Sequence, residues 1–272
     1  MTSNDELRAH YEVEKELAAT LRNAPAGERR KLYPRVYDEL FRRVPSISHL
    51  ARTESAELRQ EALDQQLGFL NRFLENRESF LEIGAGDCAL ASGVARRIER
   101  VYAVDVSAEI TGRVAVPQNV RLVLSDGVGI PVESGTIDVA YSNQLMEHLH
   151  PDDASEQLKS IYTALAPGGV YVCITPNRLN GPHDVSKHFD RTATGLHLKE
   201  YSGMELRRAL LTTRFRRCHF YIGARQTYIR CPVWLFAAIE SIVATLPFRL
   251  RRRLLDNRWG YALLGVRIAA VK

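Results

Sequence analysis

The segment Phe80-Leu81-Glu82-Ile83-Gly84-Ala85-Gly86-Asp87-Cys88-Ala89 decides the fold of this chain. Its apolar start predicts a strand, its glycines predict a tight turn, and the residues from Ala89 onward favour a helix. Glycine lets a ligand approach the backbone closely because no Cβ stands in the way. The helix N-terminus then offers unpaired N–H groups to a polar or anionic group. The segment therefore predicts a strand–turn–helix unit with a ligand at the turn.

A second predicted strand, Val101–Val106, carries an acidic residue near its end. Asp105 lies 21 residues after Gly84, and a carboxylate at that place can accept both hydroxyls of a ribose. Together, the glycine turn and Asp105 indicate a nucleoside-containing cofactor. The alternative interpretation is a tight turn followed by a surface aspartate.

Short apolar runs alternate with helical segments from Ser79 onward, which is typical of βαβ units around a parallel sheet. Ser202 and Glu205 form a capping-box pattern that predicts a helix through about Leu211. We expect an α/β, doubly wound, mostly parallel seven-stranded sheet. Its predicted strands are Phe80–Ile83, Val101–Val106, Val120–Leu124, Ile137–Ser142, Val170–Thr175, Cys218–Gly223 and Val266–Val271, with intervening helices such as Ala89–Glu99 and Asp153–Ala166.

Two helical additions flank this pattern. Residues 1–76 carry apolar stripes at helical spacing, and Pro34 predicts that one helix starts or kinks there. Residues 77–272 form the predicted sheet domain, with a helical insertion over about 224–265. We expect the insertion to present one apolar face, formed by Trp234, Leu235, Ala238, Ile239, Ile242, Val243 and Leu246. Both additions are interpreted as a cap or lid over the acceptor side of the site.

Composition excludes several classes of protein. Of 272 residues, 45% are hydrophobic and 25% charged, which is typical of a globular chain rather than a disordered one. The net charge of +5 comes with no recognisable nucleic-acid module, so we expect no nucleic-acid partner. The four cysteines form no C-x-x-C pair, and the N-terminus lacks the pattern of a signal peptide. We therefore expect a cytoplasmic protein.

The chain resembles the class I S-adenosylmethionine-dependent methyltransferases over roughly residues 78–176. The resemblance rests on five features in order along the sequence. They are Glu82-x-Gly84-x-Gly86, the acid Asp105, Ser125-Asp126-Gly127 after the third strand, Ile137–Asn143 at the fourth strand, and Leu165-Ala166-Pro167-Gly168-Gly169-Val170 before the fifth.

The resemblance implies S-adenosylmethionine as cofactor and assigns roles by position. Gly84 and Gly86 would let the methionine portion lie over the turn, and Glu82 would reach its ammonium. Asp105 would hold the ribose, Asp126 would accept from the adenine N6, and Asn143 would face the sulfonium side. The alternative for Asn143 is turn capping. The full set of implied cofactor-binding residues is Glu82, Gly84, Ala85, Gly86, Asp105, Val106, Ser125, Asp126, Gly127 and Asn143.

Two rival functions stay open at this point. Gly84-x-Gly86-x-x-Ala89 also fits the dinucleotide fingerprint, so a nicotinamide- or flavin-dependent oxidoreductase is one alternative. A non-catalytic nucleoside-binding protein on the same scaffold is the other. The ordered set of motifs favours the methyltransferase, because a dehydrogenase does not need it.

A hydroxyl acceptor would need a general base, and histidine is the usual one. Five of the eight histidines lie between residues 148 and 197. We predict His148 and His183 as catalytic residues, because ligands bind outside the carboxyl ends of strands in such sheets. The group His183, Asp184, His188, Asp190 and His197 matches no known zinc spacing, so no metal site is predicted.

The expected reaction is methyl transfer to a small-molecule or carbohydrate-type acceptor, at oxygen. The acceptor class follows from the resemblance alone, since the chain carries no substrate-specific motif. Arg249, Arg251, Arg252 and Arg253 follow the apolar run of the insertion, which raises contact with an anionic membrane surface as an alternative to the cap. Of the two, the cap is the expectation.

Overall fold

A computed structural model describes residues 4–44, 56–107, 115–224 and 227–272. Its eight strands are β1 (Ser79–Ile83), β2 (Arg100–Asp105), β3 (Val120–Leu124), β4 (Ile137–Asn143), β5 (Leu165–Thr175), β6 (Arg217–Ala224), β7 (Thr227–Cys231) and β8 (Val266–Val271). The α-helices of the described residues are α1 (Asn4–Asn23), α2 (Ala26–Arg43), α3 (Ala56–Leu74), α4 (Ala89–Val94), α5 (Pro151–Ala164), α6 (Gly203–Thr212), α7 (Val233–Thr245), α8 (Phe248–Leu255) and α9 (Arg258–Leu264). Short 3-10 turns cover Met146–His148 and Val185–His188.

The strands form one sheet in the order β3-β2-β1-β4-β5-β8-β6-β7. Strands β1 to β5 pair in parallel, and β8 enters antiparallel between β5 and β6. The carboxyl ends of β1 to β4 therefore meet along one edge, where ligands bind in such sheets. The doubly wound α/β prediction is confirmed, with eight strands in place of seven.

Alternate residues of the buried strands serve two cores on opposite faces of the sheet. Leu81 and Ile83 of β1 pack into the same core as Leu17 and Leu21 of α1 and Val36 of α2. On the other face, Phe80 packs with Phe69, Leu70 and Leu74 of α3. The N-terminal helices thus belong to the core that supports the sheet edge.

The prediction that a helix starts at Pro34 is wrong, and a kink there stays a prediction. Helix α2 begins at Ala26 and runs through Pro34 to Arg43. Its buried residues Tyr33, Val36 and Leu40 lie on both sides of the proline and pack into the core. Burial of this continuous face outweighs the loss of one backbone N–H donor at Pro34.

The insertion differs from the sequence-based expectation in two ways. Residues 227–231 form strand β7, which pairs antiparallel with β6 at the edge of the sheet. Helix α7 does not bury the predicted apolar face, because Trp234, Leu235 and Ile242 are exposed. Its buried residues are Phe236, Glu240 and Val243.

Glu240 explains this orientation of α7. Its carboxylate accepts hydrogen bonds from the backbone N–H groups of Gly203 and Met204, at 2.6 and 3.1 Å, and from the side-chain amide of Asn177 at 2.7 Å. A carboxylate at a helix N-terminus stabilises the unpaired N–H groups there. Helix α7 therefore buries Glu240 against the N-terminus of α6, and several of its apolar residues stay exposed to solvent.

The remaining elements agree closely with the sequence. The capping box of Ser202 and Glu205 is present, with both reciprocal hydrogen bonds formed at the start of α6. Helix α4 is shorter than predicted and ends at Val94. A bilayer-crossing segment is not found among the helices of the described residues.

Candidate active site

A cavity of about 230 Å³ lies at the carboxyl ends of β1 to β4, between the sheet edge and α2. Five of the predicted cofactor-binding residues line it: Gly84, Asp105, Val106, Ser125 and Gly127. The predicted base His148 lines it as well. Further lining residues come from α2, from the segment after β4 and from α5: Tyr33, Tyr37, Gln144, Leu145, Leu149 and Gln157.

Asp105 is held in place by two backbone groups. The N–H of Gly86 donates to Oδ2 and the N–H of Ser107 donates to Oδ1, each at 2.9 Å. A carboxylate can accept more than one hydrogen bond at each oxygen, so both atoms keep capacity for a further donor. A ribose diol at the end of β2 would supply two such donors.

Two glycines shape the cavity wall. Gly84 and Gly127 have φ values of +76° and +87°, in the left-handed region that favours glycine. A Cβ at Gly84 would come within 3.3 Å of Leu145 Cδ1, and one at Gly127 within 3.2 Å of the Tyr33 ring. Each glycine therefore keeps open a space that a side chain would fill.

Gln157 lines the cavity and carries an acceptor atom that has no partner among the described residues. Its Nε2 donates to the carbonyl oxygen of Gly127 at 2.7 Å, which leaves Oε1 as the other atom of the amide. Oε1 is buried and has no hydrogen-bond partner among the described residues. Buried polar atoms are nearly always satisfied, so this atom is suited to a ligand with an N–H donor, such as an adenine amino group. Sequence reasoning missed Gln157, which lies on α5 outside every motif.

The other five predicted cofactor residues do not line the cavity that the described residues form. Asp126 Oδ1 accepts from the N–H groups of Val128 and Gly129, and Oδ2 lies 3.5 Å from Arg30. Ala85 packs in the second core, and Gly86 donates its N–H to Asp105. Asn143 ends β4, next to the lining residue Gln144.

Glu82 lies beneath the glycine turn. It is buried, and Oε2 accepts from the N–H of Ala91 at 2.9 Å, in the first turn of α4. Burial raises the pKa of Glu82 to about 8, against the opposing effect of this hydrogen bond. The observed contact joins β1 to the first turn of α4, and contact with a methionine ammonium stays a prediction.

Helix α2 contributes one wall through Tyr33 and Tyr37. The hydroxyl of Tyr33 donates to Asp153 Oδ2 at 2.8 Å and accepts from the N–H of His150 at 3.0 Å. The ring of Tyr37 packs edge-on against His148, with centroids 6.0 Å apart. Both tyrosines lie in the segment 1–76, whose apolar stripes predicted helices, but nothing in the sequence indicated that this segment meets the cofactor turn.

His148 faces the cavity from the 3-10 turn after β4. Its Nδ1 lies 3.2 Å from the carbonyl oxygen of Leu196, so Nδ1 carries the proton and Nε2 keeps its lone pair. The surrounding protein lowers the pKa of His148 to about 3 by desolvation. A base works best with a pKa near the working pH, so this neutral imidazole is a weak base. Its assignment as general base stays a prediction.

His183 lies outside the lining of this cavity. Its Nε2 is 3.0 Å from the carbonyl oxygen of Asn177, and its backbone N–H donates to Glu200 Oε1 at 2.7 Å. The same Glu200 oxygen lies 2.8 Å from Nδ1 of His197. His183 is therefore connected to His197, a residue close to His148, through a shared carboxylate.

The comparison with protein families identifies the family of this chain. The model of the methyltransferase domain family matches residues 55–220, more than half of the chain. The chain belongs to the methyltransferase domain family. The match contains β1 to β5 and every residue predicted to bind the cofactor, and it confirms the class I S-adenosylmethionine-dependent resemblance. The oxidoreductase alternative is thereby set aside.

Curated relatives of this methyltransferase match over part of their length. A "probable S-adenosylmethionine-dependent methyltransferase" of Mycolicibacterium smegmatis is 28% identical over 137 residues, covering 50% of this chain and 51% of that protein. An uncharacterised methyltransferase of Mycobacterium tuberculosis is 30% identical over 107 residues, covering 37% of this chain and 53% of that protein. The chain thus spans about half the length of the curated relatives it matches.

Solved structures share the fold at low sequence identity. An S-adenosylmethionine-dependent methyltransferase from Archaeoglobus fulgidus superposes with a TM-score of 0.51 at 18% identity, covering 78% of this chain and 94% of that one. Phospholethanolamine N-methyltransferase 2 of Haemonchus contortus, in complex with phosphomonomethylethanolamine and S-adenosylhomocysteine, gives 0.52 at 16%, covering 77% and 53%. These similarities support the Rossmann-like methyltransferase architecture.

Proposed function

We propose that this protein transfers the methyl group of S-adenosylmethionine to an oxygen of a small-molecule or carbohydrate-type acceptor. The observation that carries the proposal is the cavity beside β1 and β2. There Asp105 keeps acceptor capacity, two positive-φ glycines leave space, and Gln157 presents a buried, unused oxygen. These features fit an adenosine with a ribose diol and an exocyclic amine.

The chain's own residues would do three things around this molecule. Asp105 would accept from the ribose hydroxyls, and Gln157 Oε1 would accept from the adenine amine. Gly84 would let the methionine part pass over the turn after β1. When bound, S-adenosylmethionine supplies an activated methyl group, so the protein has to orient the acceptor and exclude water.

Oxygen as the accepting atom is supported by His148, which lines the same cavity. A hydroxyl acceptor needs a group that handles its proton or holds its oxygen, and His148 lines the cavity with Nε2 available. Next to it, Tyr37 supplies an aromatic wall that suits the apolar faces of sugar or phenolic rings. We propose no role in catalysis for His183, whose Nε2 is already engaged.

The test uses purified protein in two stages. Calorimetry should detect binding of S-adenosylmethionine and S-adenosylhomocysteine, and little binding of NAD. Incubation with methyl-labelled donor and a small-molecule extract should then transfer label to a product that mass spectrometry identifies. Tight binding of NAD, or donor binding without any labelled product, would contradict the proposal, and the second result would favour a nucleoside-binding protein.

A further inference from the structure

Three residues with metal-binding side chains meet beside the cavity. Glu147 and His148 lie in the 3-10 turn after β4, and His197 lies in the loop before α6. One potential ligand atom from each residue lies within 4.8 Å of the other two. His148 also lines the donor cavity, so the cluster lies next to the site proposed for methyl transfer.

Glu147 gives an independent indication that a cationic ligand belongs here. The residue is fully buried, and Oε2 accepts from the hydroxyl of Thr175 at 2.9 Å. Oε1 has no hydrogen-bond partner among the described residues. Leaving a buried carboxylate oxygen without a partner is costly, so a donor or a cation is expected at this atom.

Both histidine rings are oriented by a hydrogen bond at Nδ1. Nδ1 of His148 donates to the carbonyl oxygen of Leu196, and Nδ1 of His197 lies 2.8 Å from Glu200 Oε1. Each Nε2 is left as the ligand atom. Metal-binding histidines characteristically use their second nitrogen in this way, toward a carbonyl or a carboxylate.

We propose that Glu147, His148 and His197 bind one divalent transition-metal ion. Two imidazoles and a carboxylate suit Zn²⁺, Fe²⁺ or Co²⁺. Bond lengths of about 2.0–2.2 Å require the three ligand atoms to approach by roughly 1 Å, which side-chain rotation supplies. Three protein ligands leave at least one coordination position for an oxygen of the acceptor.

The proposal that the ion binds depends only on these contacts. The proposal that the ion takes part in methyl transfer rests on the proposed function. A hydroxyl of the acceptor that binds the ion loses its proton to water more readily. The resulting oxygen forms the O–CH₃ bond as the S–CH₃ bond breaks, and S-adenosylhomocysteine leaves. His148 is then a ligand and not the general base. The acceptor class is a molecule with a hydroxyl that can reach the ion.

The first test measures metal binding without any turnover. Chelator-treated protein should bind one Co²⁺ per chain, with d–d absorption typical of nitrogen and oxygen ligands, and Zn²⁺ should displace it. Glu147→Gln and His197→Asn should each weaken Zn²⁺ binding at least tenfold. His188→Asn, which changes an exposed histidine on the neighbouring 3-10 turn, should leave binding unchanged.

The outcomes separate the metal site from the methyltransferase. Thermal unfolding first establishes that each variant is folded. The metal site is overturned if the wild type binds no Co²⁺ or Zn²⁺, or if Glu147→Gln binds the ion as tightly as the wild type. In that case the three side chains interact with one another through shared protons. Calorimetry of S-adenosylmethionine with chelator-treated protein tests the proposed function separately, because Asp105 and Gln157 do not belong to the cluster.

A second surface carries an inference of its own. Helices α7, α8 and α9 expose large apolar side chains, with Trp234, Ile242 and Trp259 each at least 66% exposed. On α8, Arg249 and Arg253 alternate with the exposed Leu250 and Leu254 along one face. We call the exposed residues Trp234, Ile242, Arg249, Arg253, Arg258 and Trp259 the arginine–tryptophan surface.

The positive charge of this surface indicates which kind of partner it can bind. Between residues 247 and 264 the sequence has five arginines and a single acid, Asp256, which lies 3.7 Å from Arg252. A symmetric contact with a second copy would bring these arginines together. Arginine beside tryptophan and leucine is instead typical of helices that lie in the interface of an anionic membrane.

We propose that the arginine–tryptophan surface binds an anionic lipid membrane. In co-sedimentation, the wild type should bind vesicles of phosphatidylglycerol and phosphatidylcholine, and should bind pure phosphatidylcholine poorly. The triple change Arg249→Gln, Arg253→Gln and Arg258→Gln should weaken binding at least tenfold. The matched control changes three exposed arginines outside this surface, Arg96, Arg121 and Arg208, to Gln.

Three results would overturn the membrane proposal. The first is a wild type that does not sediment with the anionic vesicles, and the second is an equal loss of binding in the two triple variants. The third is a dimer in analytical ultracentrifugation that Trp234→Ser and Trp259→Ser disrupt, since the surface would then be an interface between copies.

Discussion

Arg29 of α2 and Asp153 of α5 form a buried ion pair, with Nε and Oδ2 2.6 Å apart. A second hydrogen bond joins Nη2 to Oδ1 at 3.1 Å, and Tyr33 donates to the same carboxylate. The pair connects α2 to α5, the helix that carries Gln157. Because residues of α2 and α5 line the cavity, the shape of the cavity depends on this contact. A residue of the N-terminal segment is thereby tied to the cofactor site.

The first prediction tests this pair. Asp153→Asn should lower the free energy of unfolding by about 3–5 kcal/mol, because it leaves the Arg29 charge buried without its partner. The control is Asp152→Asn, which changes an exposed acid 3.7 Å from the same arginine and should cost less than about 1 kcal/mol. Urea unfolding measures both. Equal, small effects would show that the pair does not hold α2 in place.

The second prediction concerns the ribose site. Asp105→Ala should weaken S-adenosylmethionine binding by roughly 1.5–3 kcal/mol, the scale of hydrogen bonds to a charged group. Asp87→Ala is the control, since Asp87 is an exposed acid beside the same turn and does not line the cavity. Calorimetry compares the two. Unchanged affinity in Asp105→Ala would contradict the proposed donor site.

The third prediction tests Gln157 as the adenine acceptor. Wild-type protein should prefer S-adenosylhomocysteine over its deaminated inosine analogue by about tenfold or more, because the analogue has no amine for Oε1. Gln157→Leu should lose most of this preference. Competition binding with the two compounds gives the ratio for each protein. A preference that survives in Gln157→Leu would assign the adenine amine to another acceptor, such as Asp126.

The fourth prediction is a pH dependence of stability. Glu82 has a folded-state pKa of about 8, above the ordinary value of 4.5. Between these two pH values the folded state holds a proton that the unfolded state releases, so stability falls as the pH rises. This single group contributes a slope of at most about 1.4 kcal/mol per pH unit. Denaturant unfolding from pH 5 to 8 should show a shallower slope in Glu82→Gln, and identical slopes would contradict the raised pKa.

The fifth prediction separates the two histidines proposed from the sequence. Once an acceptor is known, His148→Ala should reduce turnover by about 10²–10⁴ while donor affinity stays within a few-fold of the wild type, whether the imidazole takes the acceptor's proton or binds the proposed metal ion. His183→Ala should have a much smaller effect, because its ring does not line the cavity. Single-turnover rates with labelled donor measure both. A larger loss in His183→Ala would move the acceptor site toward Asn177 and Glu200.

Local sequence determined most of the fold. Strand β1, the positive-φ glycine after it and the acid that ends β2 follow from residues that are neighbours along the chain, and so does the capping box of α6. Alternating apolar residues and turn glycines express short-range sterics and burial, so they can be recognised without knowing what packs against them. The same short-range signals carried the family resemblance.

Only the tertiary structure decided which distant residues complete the site. Tyr33, Gln157 and His197 come from three separate segments, and each gains its role through a partner that is distant in sequence: Asp153, Gly127 and Glu147, respectively. The spacing of helix α7 predicted one apolar face, but apolar residues also lie outside that face, and the buried side is the one that carries Phe236 and Glu240. Glu240 determines which face is buried, because its buried carboxylate needs hydrogen bonds from the backbone N–H groups at the start of α6. Periodicity records which residues avoid water, whereas the partner of each polar group depends on how the whole chain folds.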